Sequence, residues 1–396
     1  MSLKVNFASI SRTNDVNGVL TFLIGFKKLN KSFINNDIQV NHLFLFKPNT
    51  VVKTFYKSKN KINKFSNIKN TLYKSYFGQL AIFIYVYVFR SIYLSFKINK
   101  YYTNDNSNEL LFYNDIFVAF FTNLFLNKKI NKIILLHTSE DPLKQLYILF
   151  PVLNFKLNKF LLNFILNSAL KNSKAIITLS KKLKNKLELK YNNIHTIYNT
   201  CFIEDDKANI EKPAENNKIY NILSIGSLQH RKGFDLLINA LGNLDQEFKN
   251  KLRIYIAGEG EDRSFLENLI TKKNLQKNVF LLGSVKNVSE LLIENDIFFM
   301  PSRDEGLSIA LIEAMYLGKP IFTTRVGSVV ELLNENECVY VDTNIVDIER
   351  CLNLIAKNNY NLIKLSTISK QTYTNKLSNK IFVNNYSRVF KSVVNA

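Results

Sequence analysis

The sequence predicts an α/β protein made of two doubly wound parallel-sheet units. Three observations carry this. Short apolar runs bounded by polar residues alternate with longer helix-period stretches, the pattern of strands buried on both faces and joined by helices. The pattern occurs twice, on either side of the polar, charged segment Thr200–Lys218. And 396 residues are enough for two separate cores.

In the first half, Leu3–Ile10 reads as a strand, Gly18–Leu29 as a helix and Ile38–Phe46 as a second strand. Leu110–Tyr113, Ile133–Leu136 and Ala175–Leu179 are further buried strands. In the second half, strands are expected near Ile222, Ile254, Val279, Ile297 and Ile321. The stretch Lys380–Val394 has helical period, with Phe382–Tyr386 and Tyr386–Phe390 as i,i+4 pairs. The expected division is therefore 1–199, a linker at 200–218, 219–379, and a final helix at 380–396.

Composition narrows the class. A hydrophobic content of 46% describes a globular chain. Three cysteines, Cys201, Cys338 and Cys351, are odd in number and lack metal-ligand spacing, so neither a disulfide framework nor a zinc site is indicated. No N-terminal apolar signal region is read, so the expected location is the cytoplasm. The net charge is +21 and unevenly spread. Residues 1–200 hold 29 Lys and Arg against 8 Asp and Glu, and residues 201–396 hold 24 of each. Between Val51 and Lys100 there are ten basic residues and no acidic one. Drift toward lysine and asparagine in an AT-rich genome is one reading. An anionic surface or acceptor facing the first half is the other, because drift does not explain acids missing from one half alone.

Two segments are unusually apolar and aromatic. Leu80–Phe89 continues past Arg90 to Phe96; it is shorter than the roughly 20 residues a spanning helix needs, and Arg90 interrupts it. Leu143–Leu170 mixes Leu, Phe and Ile with Lys144, Lys156 and Lys159. Both fit ordinary core helices, and both fit interfacial segments that would hold the protein peripherally on the inner face of an anionic membrane. A nucleic-acid partner is not expected: the basic half has 27 lysines but two arginines and no recognised module.

The most informative stretch is Ser302–Ala314. Asp296–Met300 reads as a buried strand stopped by Pro301, and Ser308–Leu317 reads as a helix ended by Gly318 and Pro320. Glu305 thus sits in the loop and Glu313 about one and a half turns into the helix. Between them lie the free N–H groups of a helix N-terminus, which attract phosphate. The arrangement suits a molecule with hydroxyls at both ends and a diphosphate between them, such as a nucleotide sugar.

On these residues the chain resembles the glycosyltransferases of family 4, with the GT-B fold. The family's Glu-x7-Glu signature matches at Pro301, Ser302, Glu305, Gly306, Glu313 and Ala314. Segments Ile222–Ala240, Ile254–Gly260, Val279–Val285 and Pro320–Glu331 resemble the flanking donor-domain elements in order. Weaker matches lie at Asn17-Gly18-Val19, Leu135-Leu136-His137, Ser173–Ser180 and Ile197-Tyr198-Asn199. Two departures stand out: Ser227 occupies a position where the family often has arginine, and Gly327-Ser-Val-Val-Glu331 replaces Gly-Gly-x-Pro-Glu.

The resemblance implies two Rossmann-like domains facing a central cleft, the first holding the acceptor and the second the donor, with the final helix crossing back to the first. It implies a retaining transferase that takes a nucleoside diphosphate sugar, a uridine donor being the commoner case and guanosine next. The basic, aromatic character of the first half suggests a glycan or lipid-linked acceptor, as in surface polysaccharide assembly. Glu313 is then assigned to the ribose, as an ionised carboxylate accepting from two hydroxyls. Glu305 is assigned to the transferred sugar. Lys232, with Arg231, would neutralise the diphosphate leaving group. The backbone of Gly306, Leu307 and Ser308 would donate N–H groups, and Gly18 would let the first-domain loop approach the diphosphate. Gly226, Gly258 and Val285 complete the donor site, and His137 would touch the sugar near the reacting carbon. His42, His195 and His230 are read as structural. No metal and no cofactor beyond the nucleotide sugar is expected. The third glycine of a dinucleotide fingerprint would fall at Arg263, which speaks against nicotinamide. Glu204-Asp-Asp206 is read as a solvated charge run. The rival readings are a non-catalytic GT-B-like subunit supporting a partner enzyme and, among enzymes, a nucleotide-sugar epimerase.

Overall fold

The computed structural model describes residues 3–12, 18–46, 75–102, 109–125, 130–138, 140–203 and 219–395, with backbone alone at 10–12, 18–21, 42–46 and 145. Asn17, the basic segment up to Lys74, the side chain of His42, and Glu204-Asp-Asp206 with the rest of 204–218 lie outside the described residues. Two compact units result: Met1–Ile197 with Val383–Ala396, and Tyr198–Phe382.

The first unit is built on six parallel strands in the order β2-β1-β3-β4-β5-β6. These are β1 (Leu3–Arg12), β2 (Ile38–Phe46), β3 (Glu109–Tyr113), β4 (Asn131–Leu136), β5 (Ala175–Thr178) and β6 (Ile194–Thr196). Strands β3 and β5 are buried at every position, which is why they read as unbroken apolar runs. The order reverses between β1 and β3, so the crevice of this sheet opens beyond the C-terminal ends of those two strands.

One helix of this unit differs from the sequence reading. It runs 26 residues, from Tyr76 to Tyr101, and is long and apolar enough to cross a membrane by length and composition. Arg90 does not interrupt it. The residue is buried, and its guanidinium carbon stands 5.4 Å from the centre of the Tyr85 ring in the same helix, a cation–π contact. The middle turn, Ile84–Phe89, is π-helical. One face, with Phe83, Leu94 and Ile98, joins the unit's core.

The last helix, Asn379–Val394, begins in the second unit and ends in the first. Tyr386 meets Phe26 edge-on at 5.0 Å and Phe390 meets Phe112 at 5.8 Å, while Phe382 packs on Phe202 at 6.0 Å. The i,i+4 aromatic pattern of the sequence thus becomes buried ring packing.

The second unit has strands β7 (Tyr220–Ile225), β8 (Leu252–Ala257), β9 (Val279–Gly283), β10 (Ile297–Met300), β11 (Ile321–Thr324) and β12 (Val339–Val341). All pair in parallel, in the order β12-β11-β10-β7-β8-β9. Read from β9, this is the 3-2-1-4-5-6 order of a dinucleotide-type sheet, whose switch point lies between β7 and β10.

Candidate functional site

The loops that leave β7 and β10 converge at that switch point. After β7, His230–Lys232 forms one tight helical turn and Gly233 takes a left-handed φ of 69°. A Cβ at Gly233 would lie 1.9 Å from the carbonyl oxygen of Pro301, so only glycine lets this turn rest on the β10 loop. The contact is reinforced by hydrogen bonds. The N–H groups of Arg303 and Asp304 donate to the carbonyl of Arg231 at 2.7 and 3.2 Å. The Arg303 guanidinium forks onto both oxygens of Asp235 at 2.6 Å each.

This scaffold brings Arg231, Lys232 and Glu305 together. The ammonium of Lys232 bonds Glu305 Oε2, and Arg231 Nη1 stands 3.6 Å from Oε1. The Lys232 and Glu305 side chains are only 10% exposed, so the pair is largely desolvated. Gly226 presents its bare backbone to the Lys232 stem: a Cβ there would be 3.1 Å from Cε. The cation assigned from sequence to a phosphate therefore rests, in the free protein, on the carboxylate assigned to a sugar. The turn after β11 closes over the same loop. Gly327, with φ of 54°, lies so near Glu305 that a Cβ would be 1.7 Å from its carbonyl oxygen, and Ser328 N–H donates to the Gly306 carbonyl at 3.0 Å.

Ser308 caps the helix Ile309–Tyr316, its Oγ accepting from Leu311 N–H at 3.4 Å. The N–H groups of Ile309 and Ala310 have no intrahelical partner by geometry and none among the described residues. Glu313, one turn further in, has no side-chain hydrogen bond or ion pair among the described residues. Burial pushes its carboxyl up to about 7. The sequence reading made it a carboxylate. In the free protein the half-buried carboxyl lacks a counter-charge, which favours its neutral form more than at an exposed glutamate.

In the first unit, Asn114 follows β3 and His137 follows β4, at the C-terminal edge beside the switch point. His137 Nε2 and Asn114 Oδ1 are 2.8 Å apart, and Phe22 meets the imidazole edge-on at 5.4 Å. Burial pulls the imidazole down to about 4, so it is neutral at physiological pH. With Nε2–H donating to Asn114 Oδ1, Nδ1 is left as an acceptor. Asn114 Nδ2 and Thr138 Oγ1 are buried and have no partner among the described residues. Two unsatisfied polar atoms beside a neutral histidine form a cluster suited to hydroxyl groups.

Of the residues singled out in the sequence, Gly226, Arg231, Lys232, Glu305 and Gly306 share one mouth. Gly258 lies on it too, its position directly against the carbonyl of Gly226. Leu307 and Ser308 are buried between that mouth and the helix. Val285 lies on the loop after β9, and Gly18 opens the helix Gly18–Lys28. His195 pairs with Asn193 at the exposed end of β6. Sequence reasoning missed Asn114, Thr138, Arg303 and Asp235. The first two follow from the switch-point rule only when strand order is known, and the Arg303–Asp235 fork needs the loop contact across 68 residues. Among the described residues, no group of three or more His, Cys, Asp or Glu is placed to hold a metal. The three cysteines are buried, and none is joined in a disulfide.

Two parallel six-stranded sheets with this strand order are the architecture of the GT-B class of fold. HepE of Anabaena, solved in complex with UDP-glucose, has the same fold: TM-score 0.67 over 100% of both chains at 15% identity. Residues 205–374 match the family model described as glycosyl transferases group 1. An uncharacterised glycosyltransferase of Methanocaldococcus jannaschii is 33% identical over 155 residues, 39% of this chain and 37% of that protein. The O-antigen biosynthesis glycosyltransferase WclY of Escherichia coli is 26% identical over 210 residues, 50% of this chain and 56% of that protein. The chain thus spans between about a third and just over half of these curated relatives.

Proposed function

We propose that this protein is a retaining glycosyltransferase of family 4. It would move a sugar from a nucleoside diphosphate donor, a UDP-sugar in the first instance, to a glycan or lipid-linked acceptor in surface polysaccharide synthesis. The observation that carries this reading is the meeting of Arg231, Lys232 and Glu305 at the switch point of the second sheet. The O-antigen role in the name of WclY and the UDP-glucose bound to HepE support the acceptor and donor classes.

As the bond between the sugar's anomeric carbon and the diphosphate oxygen breaks, both electrons stay on that oxygen. Lys232, Arg231 and the N–H groups of Ile309 and Ala310 would meet the growing charge, with no divalent metal needed for that task. Glu305, released from Lys232, would take hydroxyls of the transferred sugar. Glu313 would lose its proton and accept from the ribose. The neutral His137, held by Asn114, would accept a hydroxyl rather than pair with phosphate.

Isothermal titration with UDP and GDP tests the donor site, and a panel of nucleotide sugars tests turnover. Lys232→Ala and Glu313→Ala should each abolish nucleotide binding or transfer. Wild-type protein that binds neither nucleotide would favour a non-catalytic subunit, and unchanged transfer by both variants would refute the site.

A further inference from the structure

We infer that the first unit docks on an anionic lipid surface through the outward face of the helix Lys156–Lys171 and the apolar residues beside its N-terminus. This goes beyond the proposed transfer reaction and does not depend on it.

The helix carries two apolar stripes on opposite sides. Leu162, Leu166, Ala169 and Leu170 are buried in the core. Leu157, Phe160, Leu161 and Phe164, spaced i, i+3, i+4 and i+7, point the other way and are 69%, 69%, 48% and 56% exposed. A helix on a protein surface in water turns polar residues outward at such positions. Next to its start, Phe155 and Phe77 are also exposed, both near Tyr76, whose ring lies 5.5 Å from each. These six apolar side chains present roughly 600 Å² together, at the upper end of what a monomer's largest apolar patch shows.

Charge identifies the occupant. The Tyr76–Tyr101 helix packs on the helix Ile116–Phe125, which packs in turn on Lys156–Lys171. Across residues 75–102, 116–125 and 143–174 there are seven lysines, the buried Arg90, and no acidic residue. Lys156 and Lys159 occupy the first turn of their helix, where a positive charge opposes the helix dipole and no acidic residue offsets it. Lys159 also reaches over the Tyr147 ring at 5.5 Å, whereas no acidic side chain in the turn offsets Lys156. An apolar stripe flanked by such lysines suits insertion to the depth of the acyl boundary, with ammonium groups at the headgroup phosphates. The neighbouring Tyr76–Tyr101 helix lies with one face in the core, so it is placed beside the bilayer rather than across it.

The test is sedimentation of the protein with vesicles of phosphatidylcholine alone or of phosphatidylcholine and phosphatidylglycerol mixed two to one, together with its oligomeric state by light scattering. Binding to the anionic vesicles is expected, at least tenfold stronger than to the neutral ones, weakened by high salt and released by alkaline carbonate. Phe160→Ser/Phe164→Ser should lose that binding tenfold or more while keeping its melting temperature and its nucleotide affinity. Lys156→Glu/Lys159→Glu should lose the preference for anionic lipid. The inference is overturned if wild-type protein stays in the supernatant, or if either double variant binds as wild type does. A carbonate-resistant protein would overturn it in favour of a spanning helix. A wild-type dimer that Phe160→Ser/Phe164→Ser converts to a monomer would overturn it in favour of a contact between copies. Lys232→Ala should sediment as wild type, which separates this surface from the donor site.

Discussion

Glu313→Gln should make the free protein more stable while removing its capacity to bind a nucleotide. The carboxyl ordinarily titrates near 4.5 and is here pushed up to about 7, because it is half-buried, poorly hydrated and without a counter-charge. At pH below 4.5 both folded and unfolded chains hold the proton, and the substitution gains nothing. As pH rises from 4.5 to 7 the unfolded chain ionises and the folded one does not, so the folded state falls behind. Above pH 7 the full difference is present. Two and a half pH units at 1.36 kcal/mol each set a ceiling of about 3 kcal/mol, and about half of that at pH 5.5. For a unit of this size the ceiling corresponds to a rise of about 6–12 °C in melting temperature at pH 8. Differential scanning fluorimetry from pH 4 to 8, with and without UDP, reads both halves of the claim. The wild type should gain stability from UDP and the variant should not. Wild-type affinity itself should fall about tenfold from pH 8 to 6, since a group with this titration must ionise before it can accept. A melting difference that is flat across the pH range, or one that grows toward acid, would sink the reasoning.

Three further expectations concern other parts of the two mouths. Glu305→Ala leaves the Lys232 ammonium desolvated and alone, and should destabilise the free protein by about 3 kcal/mol in urea unfolding, whereas Glu305→Ala/Lys232→Ala should recover much of that loss; additive losses would mean that the pair does not interact. Gly327→Ala should cost about 2 kcal/mol or more, or leave the chain unfolded, because the new methyl meets the carbonyl of Glu305. A urea midpoint indistinguishable from wild type would contradict that close approach. Asn114→Ala should slow transfer about tenfold at unchanged UDP affinity, with nitrogen NMR showing His137 no longer held in its Nε2–H form; an unaltered tautomer would remove Asn114 from the positioning role.

Much of the second unit was legible in the sequence. Ile222–Ile225 and Asp296–Met300 are short apolar runs cut by glycine or proline, and such punctuation fixes where a loop begins. The spacing from Glu305 to Glu313 then places a loop residue and a helix residue without any coordinates. What the sequence does not contain is adjacency between loops far apart along the chain. Nothing in His230-Arg231-Lys232 announces that its ammonium will rest on Glu305, since ion pairing depends on which loops the strand order brings together. The titration of Glu313 is equally invisible, because it follows from the missing counter-charge around one carboxyl. In the first unit the apolar strands were readable but Asn114 was not: one more asparagine in an asparagine-rich chain gives no signal until β3 is known to flank β1. Arg90 misled in the opposite direction, because a charge in an apolar run reads as a stop unless an aromatic ring lies one turn back.

The two left-handed glycines at the rim of the second sheet set how that rim can respond to a guest. Gly233 and Gly327 allow polypeptide to lie directly upon polypeptide, with no side chain between to act as a cushion. Segments in such contact slide poorly past one another, so Arg231 and Glu305 can swing while the frame beneath them stays put. Adaptation to different occupants would then come from rotamers and not from loop rearrangement, and variants that widen the repertoire should be sought among those two side chains before the glycines under them.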